Sequence, residues 1–90
     1  MSNKVYQVVW PQKIKEDFEH LIGFVPVELR PIAYKAIVES ANENARTRGA
    51  SEVIEKDMVT AFLQNTPPFF RDNVCKSLKG IGVDLSKYSI

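Results

Sequence analysis

The stretch VPVELRPIAYKAIVESANENARTRG, residues 25–49, decides how the rest of the chain is read. Leu29, Ile32, Ala33, Ala36, Ile37, Ala41 and Ala45 recur with a period near 3.6, the signature of a helix with one apolar face. Pro26 and Pro31 stand at its start, where the first backbone N–H groups lack helical partners in any case. Gly49 closes it, because glycine takes the left-handed conformation that ends a helix without steric cost. The helix proper begins either near Val27 or near Pro31, since a proline in the second turn would remove a hydrogen bond. About half the chain lies on each side, so this long helix is the expected spine.

Working outward, Val5 to Trp10 is rich in β-branched and aromatic residues and reads as a short extended arm, which Pro11 stops. No second strand is evident, so the arm has a pairing partner only if two copies of the chain meet through it. A first helix is expected over residues 12–22, with Ile14, Phe18, Leu21 and Ile22 on one face and Gly23 as its end. Beyond the spine, residues 50–54 form a link and residues 56–64 a third helix, with Asp57 suited to the positive end of the helix dipole. Thr66-Pro67-Pro68 breaks the chain. A fourth helix follows over residues 68–79 with Gly80 as its stop, and the apolar tail, residues 81–90, packs back.

The expected fold is all-α: a single small domain of about four helices around a long central helix, with a short extended N-terminal arm. Its core is expected to hold Phe18, Leu21, Leu29, Ile32, Ala33, Ala36, Ile37, Ala41, Ile54, Met58, Phe62, Phe70, Val74 and Leu78. Ninety residues leave no room for a second core, so residues 1–90 form one domain. One internal echo stands out. Val25-Pro26-x-x-Leu29-Arg30-x-x-Ala33-x-Lys35-x-Ile37 aligns with Thr66-Pro67-x-x-Phe70-Arg71-x-x-Val74-x-Lys76-x-Leu78, and the plain reading is that both are helix starts.

Composition narrows function by exclusion. A hydrophobic content of 44% with 26% charged residues is that of an ordinary globular chain. The net charge of +1 is too weak a field for non-specific binding to nucleic acid or anionic membrane. Cys75 stands alone, so no internal disulfide forms, and it reads as a small buried hydrophobe. No apolar run is long enough to cross a bilayer, and the N-terminus lacks the pattern of a signal peptide, so a cytoplasmic location is expected. His20 lies off the apolar stripe with no companion ligand, which leaves no metal site. Gly80-Ile81-Gly82 lacks the third glycine and following helix of a phosphate loop, and no nucleophile–base set can be assembled. No enzyme activity, catalytic residue or cofactor is expected. Tyr6, Trp10, Phe24, Phe69 and Tyr88 exceed the needs of one small core. They point to docking on another protein or on a second copy, as a dimer.

Two resemblances add to this. The order Trp10, Phe18, Leu21, Val25-Pro26, Leu29-Arg30, Glu39, Ala41, Gly49, Ile54, Met58, Ala61 resembles the small helical domain at the C-terminus of the B subunit of light-independent protochlorophyllide reductase. It covers residues 10–64 and leaves residues 65–90, the last helix and tail, outside. The spacing from proline to glycine is about a turn longer than that family's, and Glu55 stands where its threonine would be. The resemblance implies a domain shape and a link to tetrapyrrole metabolism, with no catalytic residue carried over. If it extends to a pigment, the candidate lining is Trp10, Phe24, Phe69 and Phe70 with Arg30 and Arg71 for its carboxylates. The same helix order also resembles the histone fold, which implies DNA binding through Arg30, Arg46, Arg48 and Arg71. Glu28, Glu39, Glu43, Glu52 and Asp72 dilute each of those clusters, so DNA association stands as the alternative to docking.

Overall fold

A computed structural model describes residues 8–88. The fold is all-α, with four helices among the described residues: α1, Gln12–Ile22; α2, Arg30–Thr47; α3, Glu55–Gln64; and α4, Arg71–Gly80. Three short 3₁₀ turns, Val27–Leu29, Pro68–Phe70 and Leu85–Tyr88, complete it.

The spine begins in two steps. Val27–Leu29 form a 3₁₀ turn closed by the Leu29 N–H on the Pro26 carbonyl at 2.9 Å, and α2 proper starts at Arg30. Pro31 then falls in the first turn, where its missing N–H costs nothing. Gly49, with φ 79°, ends the helix as expected. Its N–H donates to the Arg46 carbonyl at 2.8 Å and that of Ala50 to Ala45 at 2.9 Å, which is the Schellman pattern.

Gly80, by contrast, does not stop α4. It lies inside the helix, and Gly82, with φ 94°, takes the left-handed position two residues later. There the N–H of Gly82 reaches the Lys79 carbonyl at 3.0 Å and that of Val83 reaches Leu78 at 3.0 Å, repeating the Schellman pattern at the end of α2.

The extended arm finds its partner within the chain. Val9 bridges Glu52 in parallel: its N–H donates to Ser51 at 2.9 Å and its carbonyl accepts from Val53 at 2.9 Å. The expectation that pairing needs a second copy is therefore corrected for this part of the arm; Val5, Tyr6 and Gln7 lie outside the described residues. The bridge ties together the two extended segments that precede α1 and α3.

Burial is deepest in α3, whose Met58, Val59, Ala61, Phe62 and Leu63 are all buried. Phe18 and Leu21 of α1, Ile37, Ala41 and Ala45 of α2, and Leu78 of α4 converge on it, with Val53 from the link. The tail packs back as expected, burying Val83 and Leu85. Ala33, Val74 and Cys75 are only partly buried against this core.

Four expected core residues, Leu29, Ile32, Ile54 and Phe70, are exposed. Ile32 is 71% exposed because it precedes Ile37 by five residues, about 140° around a helix, and so leaves the buried stripe. Leu29 and Phe70 each end a 3₁₀ turn, outside the helical period that the pattern assumed. Ile54 occupies the extended residue before α3, where alternation sends Val53 inward and Ile54 outward.

Candidate functional site

The antiparallel pair α2 and α3 carries the polar interactions that fix the rest. Asp57 is 3% exposed, and Arg48 covers its carboxylate with both Nε at 3.1 Å and Nη2 at 2.5 Å. The same carboxylate accepts the Ile54 N–H at 3.0 Å, capping the start of α3, while Arg48 Nη2 also donates to the Glu52 carbonyl at 3.0 Å. The Asp57 hydrogen bond, reinforced by its charge, pushes the Arg48 pKa above its ordinary value. Further along, Asn65 Nδ2 donates to Ser40 Oγ at 2.9 Å. Arg48 with Asp57 at one end and Ser40 with Asn65 at the other set the two helices in register.

The six residues named as the candidate pigment lining, which also make up the expected interaction surface, fall into separate settings. Trp10 is half-buried: its indole N–H donates to Asn42 Oδ1 at 2.8 Å and its ring lies 5.3 Å from that of Phe18. Phe24 is 60% exposed, with its ring 5.4 Å from His20. Arg30 folds back over the α1–α2 turn, donating from Nε to the Val25 carbonyl at 2.8 Å and from Nη2 to the Gly23 carbonyl at 2.8 Å. Phe69 and Phe70 stand together, their rings 4.5 Å apart, and are 79% and 48% exposed. Arg71 follows, exposed at the start of α4. Among the described residues, no ring contact joins Trp10 or Phe24 to Phe69 or Phe70.

Of the four arginines named for phosphate contact, three have partners within the chain and, among the described residues, one does not. Arg30 and Arg48 are engaged by backbone carbonyls and by Asp57, and Arg46 lies 3.4 Å from Glu43. Arg71 has no ion pair among the described residues.

Sequence reading missed one feature of the surface. On the outward side of α2, Pro31, Ile32, Lys35, Ala36 and Glu39 line an open, largely apolar groove of about 350 Å³. Its signal was present in the spacing: residues 32, 35, 36 and 39 follow the i, i+3, i+4, i+7 rule for one helix face, but Ile32 and Ala36 were assigned to the core instead. The expected anchors Trp10 and Tyr88 are held within the fold, Tyr88 by donating its hydroxyl to the Glu55 carboxylate; Tyr6 lies outside the described residues.

Among the described residues there is no group of His, Cys, Asp and Glu placed to hold a metal ion. No helix there is long and apolar enough to cross a membrane. No protein family, characterised protein or solved structure matches the chain.

Proposed function

We propose that this chain is a non-catalytic docking module that acts by binding another protein or a second copy of itself. One observation carries the reading: Phe69 and Phe70, in ring contact with each other, are 79% and 48% exposed beside an arginine. Two adjacent phenylalanines facing water lose the stabilisation of burial, about 1.5–3 kcal/mol for a side chain of this size, so they mark a surface that is covered in use. Rigid aromatics next to an arginine are the side chains that anchor interfaces. The chain contributes this surface at low conformational cost, because the preceding prolines fix the approach to the 3₁₀ turn.

The finer reading, an accessory to tetrapyrrole metabolism, rests on the sequence resemblance over residues 10–64. For it, docking on a pigment enzyme is better supported than direct pigment binding, since Trp10 and Arg30 already have partners within the fold. The test of docking compares the chain with its Phe69→Ser/Phe70→Ser variant, each immobilised and offered both free chain and cell extract. A species retained by the first and lost by the second, with unchanged helicity by circular dichroism, is the expected result. Retention of nothing by either, with a strict monomer in solution, would remove the reading.

A further inference from the structure

The docking reading leaves the occupant open, and the outward face of α2 supplies one. The shallow, open groove is lined by Pro31, Ile32, Lys35, Ala36 and Glu39, all from α2. The corner before α4 offers the matching inventory: two apolar rings, Phe69 and Phe70, followed at once by Arg71 and Asp72. Each surface therefore presents an apolar element beside one cation and one carboxylate. Among the described residues, none of Lys35, Glu39, Arg71 and Asp72 has an ion-pair partner within the chain.

We propose that two copies of this chain form a two-fold symmetric dimer in which the Phe69–Phe70 corner of each seats in the α2 groove of the other. Arg71 then meets Glu39 of the second copy, and Asp72 meets Lys35. The symmetry uses both surfaces of both copies, so the contact closes on itself and does not propagate into a filament. The hydrogen bond from Asn65 to Ser40, at 2.9 Å, holds the chain to α2 four residues before Phe69. The apolar part is small for an interface, which sets the expected affinity in roughly the micromolar range. Rings fill the groove, and the two charge pairs fix orientation.

The inference rests on the docking reading, and the experiment separates the two. Sedimentation equilibrium of the full chain, run from a few to several hundred micromolar, should show mass rising from 10.2 kDa toward twice that value. Arg71→Glu and Glu39→Arg should each weaken the dimer by about tenfold or more, because each sets like charges face to face. Mixing these two variants is the decisive arm. In the mixed pair, Glu at position 71 meets Arg at position 39 on one side, while native Arg71 meets native Glu39 on the other. The mixture should therefore dimerise as the parent does. All altered positions are exposed, and unchanged circular dichroism and melting verify folding. A strict monomer at every concentration, or a dimer indifferent to both charge reversals, or a mixture that stays monomeric, would overturn the homodimer. The docking reading would fall separately, and only if nothing else were captured through Phe69 and Phe70.

Discussion

The same backbone figure is drawn twice in this chain, and the two versions are held in different ways. Each half runs from an extended segment through a helix, a proline-led 3₁₀ turn and a second helix to a Schellman glycine. Pro26 and Pro67 have ψ near 140° and 148°, and Leu29 and Phe70 share φ of −97° and −100°. Ile37 and Leu78, seven residues beyond the respective arginines, are both buried. Yet Arg30 ties down the turn behind it, whereas the turn before Arg71 is tied by Thr66 Oγ1 on the Phe62 carbonyl and Asn65 Nδ2 on that of Ala61. One arginine is structural and the other is left for the surface. The difference shows how a repeated local geometry can engage its arginine in the fold at one site and leave it at the surface at the other.

The largest effects should test whether the halves are equal partners in the core. Ile37→Asp puts an unpaired charge between α2 and α3 and should cost about 4 kcal/mol or more, enough to abolish a cooperative melt in a domain this small. Leu78→Asp makes the equivalent change in the second half. Because α2 is bound to α3 by Arg48, Asn44 and Ser40, and α4 has no comparable polar ties among the described residues, this change should free α4 and the tail while α1 to α3 stay folded. Hydrogen exchange reads both: global loss of protection in the first variant, loss confined to residues beyond about 66 in the second. Equal, global unfolding in both would show that the second half is not the weaker one.

Next in size is the clasp that joins the halves. Arg48→Leu removes both hydrogen bonds to the buried Asp57 carboxylate and should cost about 2–3 kcal/mol. The figure sits below the full loss for a buried pair because the Arg48 side chain is 35% exposed and partly screened. Chemical denaturation measures it; a change under about 0.5 kcal/mol would mean that Asp57 is rescued by water or another donor. The two echoed arginines give the sharper contrast. Arg30→Ala should cost about 1–2 kcal/mol, since two backbone carbonyls lose their charged donor, while Arg71→Ala should stay within about 0.5 kcal/mol. Equal losses would erase the distinction between the structural and the free arginine.

Much of this was legible in the residues. Helices α1 and α3 match their expected spans to within a residue, because the helical period agrees with Pro11 and Gly23 around α1 and with Pro67-Pro68 after α3. The echo between residues 25–37 and 66–78 reads correctly as two helix starts. What was not legible follows from two physical facts. A 3₁₀ turn has three residues per turn, so Leu29 and Phe70 drop out of a stripe extrapolated from the helices beyond them. The second fact concerns partners distant in sequence. The partner of an arginine depends on which carbonyl or carboxylate the fold brings near. Arg30 and Arg71 are therefore indistinguishable in the sequence pattern and opposite in the structure, and Arg48 is engaged by Asp57, nine residues on.

The smallest expected effect concerns how the second half is finished. Where α2 runs for 18 residues, α4 has 10, and the tail turns back to cover what the shorter helix leaves open, burying Val83 and Leu85. The Tyr88 hydroxyl anchors that tail by donating to the Glu55 carboxylate at the start of α3. Burial, then the hydrogen bond to Glu55 and the nearby negative charges of Glu55 and Asp84, push the Tyr88 pKa up from 10.0 to about 12. A pKa raised in the folded state means that folding favours the protonated phenol, so its contribution is complete below pH 10. As pH rises from 10 toward 12, the unfolded chain loses the phenol proton first, and the stabilisation drains away through that window. Lysines titrate in the same range, so the measurement is a difference between two proteins. Melting temperatures of the parent chain and of Tyr88→Phe, followed from pH 8 to pH 12, should start apart, with the parent higher, and converge above about pH 10. Coincident curves for the two proteins across that range would mean that the tail is held by Val83 and Leu85 alone, and that the phenol bond contributes nothing to closing the second half.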